Sequence, residues 1–131
     1  MKNITIMGGG VLGSQIAFQS AYCGFNVTIW LRSESSIERT KPKLENLRKN
    51  YIEAIELMNK STGKTLDNWC RGIAGKEEFN KEECLKKTEE AYQNIKLELD
   101  MKESVKDADL VIESMTEDFN AKVLFNFMTD N

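Results

Sequence analysis

The chain has 131 residues, a formal net charge of −3 and a sequence pI of about 5.1, with 40% hydrophobic and 30% charged residues. That size and balance describe one globular domain with a single core, and exclude the cationic footprint of a nucleic-acid or anionic-membrane binder. No apolar run approaches the ~20 residues that span a bilayer, and the amino end lacks the pattern of a signal peptide; a cytoplasmic protein with no nucleic-acid or membrane partner is expected.

"KNITIM" (residues 2–7) predicts a strand that stops at glycine. Beyond it, Leu12, Ile16 and Cys23, with Ala17 and Ala21 beside them, recur at helical spacing. Gly24 follows where a helix-terminating glycine would sit. "FNVTIWL" (25–31) predicts a second strand, rich in β-branched and aromatic residues. Next comes a long helix with Ile37, Leu44, Leu47, Tyr51, Ile55 and Met58 on one face. Pro42 interrupts the pattern, so the helix either restarts near Thr40 as a cap or kinks there.

Residues 59–80 are the least regular, either a connection or two short helices around a turn. A charged helix over 81–93, a short strand in "NIKLEL" (94–99), a short helix over 102–106 and a buried strand in "ADLVIES" (108–114) follow. A helical run over 119–128 closes the chain. Strands alternating with helices imply a parallel sheet covered on both faces. Right-handed crossovers place the first strand inside it. The expected fold is therefore α/β: a Rossmann-type doubly wound parallel sheet of strand order 3-2-1-4, incomplete, with a helical excursion between strands 2 and 3.

Cys23, Cys70 and Cys84 show no CxxC spacing and read as reduced, non-ligating thiols. The chain has no histidine, which removes the commonest general base and the commonest metal ligand together. No metal site and no catalytic residue are expected within these 131 residues.

The chemistry concentrates in "GGGVLG" (8–13). Gly8-x-Gly10-x-x-Gly13 between a strand and a helix is a dinucleotide-binding pattern. Gly8 permits the tight turn, Gly10 lets a pyrophosphate approach the backbone, and Gly13 lets helix and strand pack closely. Gly9, Val11 and Leu12 complete the loop and the helix start, whose N–H groups and partial positive charge suit an anion. At the end of the second strand, where an acid commonly holds the adenosine ribose, stand Leu31, Arg32 and Ser33. Without that carboxylate a 2′-phosphate is not repelled, and Arg32 offers it a forked donor. This favours NADP over NAD, the alternative being that Glu34 reaches the ribose.

These blocks, with "DADLVIESMTEDFNAKVLF" (107–125), resemble the N-terminal cofactor domain of the 3-hydroxyacyl-CoA dehydrogenase family. The family's strand, Glu-x-x-x-Glu and following Lys are matched by Glu113, Glu117 and Lys122. The resemblance implies an NAD(P)-binding domain over 1–131, with Met115, Glu117 and Lys122 near the nicotinamide ribose. It also implies an acyl-CoA substrate, hydride transfer at C3 of a 3-hydroxyacyl-CoA such as 3-hydroxybutyryl-CoA, and a homodimer in fatty acid metabolism. Leu31 departs from the family's acid, and "WLR" looks more like NADP-dependent ketopantoate reductases, which act on a small hydroxy acid. The family's His–Glu catalytic pair and its helical dimerisation domain lie beyond the matched region. As given, this chain is expected to bind cofactor and turn over nothing. The alternatives are a stand-alone cofactor-binding or regulatory module and an S-adenosylmethionine methyltransferase. "ADLVIES" on an open sheet edge predicts self-association.

Overall fold

A computed structural model of the chain describes residues 2–60, 70, 72–75 and 77–115. The elements in chain order are β1 (Asn3–Met7), α1 (Val11–Tyr22), β2 (Asn26–Trp30), α2 (Glu34–Lys60), α3 (Lys81–Asn94), β3 (Lys96–Glu98), α4 (Met101–Val105) and β4 (Leu110–Glu113). The strands form one parallel sheet in the order β3-β2-β1-β4, the expected doubly wound topology. Ile6 sits in register between Ile29 of β2 and Ile112 of β4. The carboxyl ends of the strands, where ligands bind in open α/β sheets, are therefore aligned around Met7.

Side-chain alternation along the strands decides the layers. Ile4, Ile6, Val27, Ile29 and Leu31 point to one face, where Phe18 of α1, Leu44, Ile55 and Met58 of α2, and Ala91 of α3 close over them. Phe18, Ile6 and Ile55 are fully buried there. At about 25 cal/mol per Å² of apolar surface, such residues contribute roughly 1.5–3 kcal/mol each. On the opposite face the buried Thr5 hydroxyl donates to the Ser104 carbonyl of α4. Trp30 Nε1 donates to the Leu99 carbonyl at 2.9 Å, so the β3–α4 connection lies across the end of β2.

Local chemistry sets most boundaries. Gly24 adopts φ +99°, and its N–H bonds the Ala21 carbonyl at 3.0 Å, terminating α1 as its position in the sequence predicts. Asn80 and Asp100 cap α3 and α4, accepting from the N–H groups of Glu83 and Glu103. Ser33 does the same for α2, its Oγ lying 3.2 Å from the Ser36 nitrogen.

Two expectations change. Of the two readings at Pro42, the restart near Thr40 falls: α2 runs through the proline as one helix of 27 residues. Its apolar face is held across both sides of the proline, by Thr40 and Leu44 first and by Ile55 and Met58 later, so packing outweighs the lost backbone bond. Strand β4 is half-exposed rather than buried, with Leu110 at 41% exposure. It pairs with β1 on one side, and among the described residues no strand covers its other side. The helix expected over 119–128, with Glu117 and Lys122, lies outside the described residues.

Candidate functional site

The loop between β1 and α1 sits at the carboxyl end of the sheet, tied to β2 by the Gly8 N–H bonding the Trp30 carbonyl at 3.0 Å. Each of its four glycines answers a different constraint. Gly8 turns the chain at φ +113°, a conformation L side chains rarely adopt, and a Cβ there would lie 3.2 Å from Met115 Cα. A Cβ at Gly13 would strike the Gly8 carbonyl oxygen and Ser114 Oγ, so this position brings α1 down onto the loop. A Cβ at Gly9 would strike Thr40 Oγ1 and lie 2.7 Å from Leu31 Cδ2. At Gly10 a Cβ would meet nothing within 4 Å: the backbone there borders open space.

That opening is the kind a phosphate needs. Gly10 is the N-cap of α1, no side chain caps the helix, and its first turn holds no acid. The orphan N–H groups and the positive end of the helix dipole are left to an incoming anion. The Gly9 carbonyl is turned the other way. Ser14 Oγ at 3.1 Å and Lys43 Nζ at 3.3 Å donate to it. The Thr40 hydroxyl reaches it at 3.3 Å while also lying 2.8 Å from the Ser36 carbonyl. An acceptor that would repel phosphate is thereby occupied by the protein's own donors.

Between this loop, the end of β2 and the first turns of α2 lies a cavity of about 190 Å³. Gly8, Gly9, Gly10, Leu31, Arg32 and Met115 line it, so the structure brings half of the sequence-predicted residues to one place. Of the others, four are placed differently, and Glu117 and Lys122 lie outside the described residues. Gly13 packs beneath the loop, Ser33 caps α2, and Val11 and Leu12 are 66% and 63% exposed on the first turn of α1. Leu31 is itself 3% exposed, so it forms a floor of the cavity and part of the core at once.

Sequence reading missed the wall that α2 provides: Ser36, Arg39, Thr40 and Lys43. Their i, i+4 spacing is visible in the sequence, but nothing local says that this face crosses Gly9. Three cations, Arg32, Arg39 and Lys43, line the cavity, and among the described residues no carboxylate does. Glu34, the acid nearest in sequence, points its residue to solvent at the start of α2 and is not part of the lining. Ser114 was also missed. Its hydroxyl lies 3.2 Å from the Met7 carbonyl and 3.1 Å from that of Gly8, fixing the end of β4 against the loop. No group of three or more metal-ligating side chains occurs among the described residues. Among them, too, no helix is long and apolar enough to cross a membrane.

Comparison with known proteins agrees with this geometry. The family described as "3-hydroxyacyl-CoA dehydrogenase, NAD binding domain" matches residues 3–128. A probable 3-hydroxyacyl-CoA dehydrogenase of Caenorhabditis elegans is 27% identical over 122 residues, covering 93% of this chain and 33% of the relative. Among solved structures, a diketoreductase described as acting on dicarbonyl compounds superimposes with a TM-score of 0.70 at 28% identity, over 99% of this chain and 38% of its own. The (S)-3-hydroxybutyryl-CoA dehydrogenase of Ralstonia eutropha shares the fold with a TM-score of 0.63 at 21% identity, over 99% of this chain and 36% of its own. The chain thus spans about a third of the length of the curated relative it matches.

Proposed function

The chain belongs to the 3-hydroxyacyl-CoA dehydrogenase family as its NAD-binding domain, and from that premise we propose that it holds a nicotinamide dinucleotide, NADP in preference to NAD, for an oxidoreductase. The carrying observation is the open backbone at Gly10 beside a cavity lined by cations and by no described carboxylate. Gly8, Gly9, Gly10 and the start of α1 at Val11 and Leu12 would hold the pyrophosphate, with Gly13 supporting them from below. Leu31 and Arg32 would face the adenosine ribose, and Met115, Glu117 and Lys122 the nicotinamide side. When bound, that group supplies hydride transfer; the residues of this chain bind and orient it.

For the whole protein the proposed reaction is hydride exchange at C3 of a 3-hydroxyacyl-CoA such as 3-hydroxybutyryl-CoA, in a homodimer. A second reading, reduction of a small ketone or hydroxy acid, rests on the 28% identity to the diketoreductase. The chain has no histidine, so it does not itself hold the His–Glu pair that the family resemblance implies. Calorimetric titration of the chain with NADP and with NAD tests the binding claim, and the expected result is tighter binding of NADP by roughly tenfold or more. Tighter binding of NAD would end the NADP preference, and binding of neither would end the assignment. For substrate, oxidation of reduced dinucleotide by the protein is assayed with acetoacetyl-CoA and with a small dicarbonyl.

A further inference from the structure

Arg32 was the only cation in the cavity that strand position could nominate, yet two of its three cations come from α2. Arg39 and Lys43 lie four residues apart, on one side of the helix. Elsewhere on the same helix, two cations have acid partners. Lys41 faces Glu38 at 3.6 Å, and Arg48 contacts Glu45 at 3.0 Å and Glu89 at 2.9 Å. Arg39 and Lys43 instead bond neutral oxygens among the described residues: Arg39 Nη2 donates to Ser36 Oγ at 3.0 Å, and Lys43 Nζ to the Gly9 carbonyl at 3.3 Å. Neither contact neutralises the charge, and both side chains border the same cavity. Ser36 and Thr40 line the same wall.

We infer that α2 selects the cofactor: Arg39 and Lys43, in the cavity that Arg32 also lines, form a seat for a phosphate monoester on the adenosine ribose, the 2′-phosphate of NADP. This rests on the dinucleotide reading above and assigns its selectivity to residues that lie outside the glycine loop and the end of β2. The two cations divide the work. Arg39, exposed and bonded to a side chain of its own helix, acts on the added phosphate alone. Lys43 also holds the Gly9 carbonyl, so it couples the phosphate seat to the loop that receives the pyrophosphate.

The test is calorimetric binding by the full chain of NADP, NAD, adenosine 2′,5′-bisphosphate and adenosine 3′,5′-bisphosphate, the last being the fragment that coenzyme A carries. Arg39→Ala should weaken NADP and the 2′,5′-bisphosphate by roughly tenfold to a hundredfold, the loss of one charge-assisted bond, while leaving NAD in place. Lys43→Ala should weaken both dinucleotides, NADP the more. Arg39→Lys should restore part of the loss, and Lys41→Ala, on the same helix outside the cavity, should change nothing. Urea midpoints and circular dichroism confirm that each variant is folded. If the wild-type chain prefers NADP and both alanine variants keep that preference undiminished, the inference fails while the NADP reading stands. If the wild-type chain prefers NAD, the NADP reading fails and this inference with it. Tighter binding of the 3′,5′-bisphosphate than of the 2′,5′ isomer would assign the seat to a coenzyme A phosphate and overturn the proposal.

Discussion

Replacing Gly9 by alanine adds a methyl carbon 2.7 Å from Leu31 Cδ2 and 3.0 Å from Thr40 Cγ2, with Thr40 Oγ1 closer still. Gly9 does not adopt a left-handed conformation, so the whole effect is steric. The Leu31 methyl is the end of a flexible side chain, but Thr40 is not free to yield. It is β-branched within a helix, 2% exposed, and its hydroxyl lies 2.8 Å from the Ser36 carbonyl. Overpacking of this kind costs about 1–3 kcal/mol. Thr40→Ala alone removes a buried hydroxyl and costs about 0.5–1.5 kcal/mol. Together the two changes compensate, since the new methyl enters the space that Thr40 vacates. The double variant should therefore be more stable than the sum of the singles by about 1–2 kcal/mol, within the range of contacting pairs. Urea unfolding of the four proteins, with equal slopes, measures that difference. Additivity within about 0.5 kcal/mol would refute the claim that α2 rests on the loop through this contact.

Gly10→Ala should separate stability from binding. With nothing within 4 Å of the new carbon, stability holds or rises by about 0.4–1 kcal/mol, whereas dinucleotide affinity falls; equal affinity would show that no phosphate approaches there. Asp109 accepts from the Lys2 and Asn3 backbone N–H groups, both at 2.8 Å, and these bonds hold its carboxyl below its ordinary value of 3.8. Its contribution is present above that value and is lost as the pH falls through the lower folded one, so Asp109→Asn should flatten the acid limb of a stability–pH curve. Burial, aided by Cys23 and Cys70 nearby, pushes the Tyr51 phenol up to about 12 from 10.0. Stability should therefore decline as the pH rises from 10.0 towards 12, and less steeply in Tyr51→Phe, with Tyr22, also raised by burial, accounting for the remainder. The half-exposed strand β4 should make the chain associate with rising concentration, and Leu110→Lys should reduce this; light scattering that shows a monomer throughout would contradict it.

The glycine loop was legible because its constraints are local. A strand that stops at Gly8, a positive-φ turn and a helix starting at Val11 follow from neighbouring residues, as does the end of α1 at Gly24. Strand order was legible too, since parallel strands joined by helices allow few right-handed windings. Strand β4 read as buried because an apolar run does not say how many neighbours it will have; its exposure follows from its place at the edge of the described sheet. Pro42 left a restart and a kink both open because proline removes a backbone bond, and packing on both sides of it keeps α2 one helix.

Sequence by itself determined that a glycine-rich turn leads from the end of β1 into a helix and that the usual acid after β2 is missing, because both depend on residue type at fixed local spacing. Tertiary structure alone decided what faces that turn. Thr40 lies 31 positions from Gly9 and Lys43 lies 34, and only the path of α2 across the end of the sheet brings them to its carbonyl. Charge in a sequence has a position along the chain but no direction; the packing of one helix on one glycine turned two ordinary cations into the wall of a cavity.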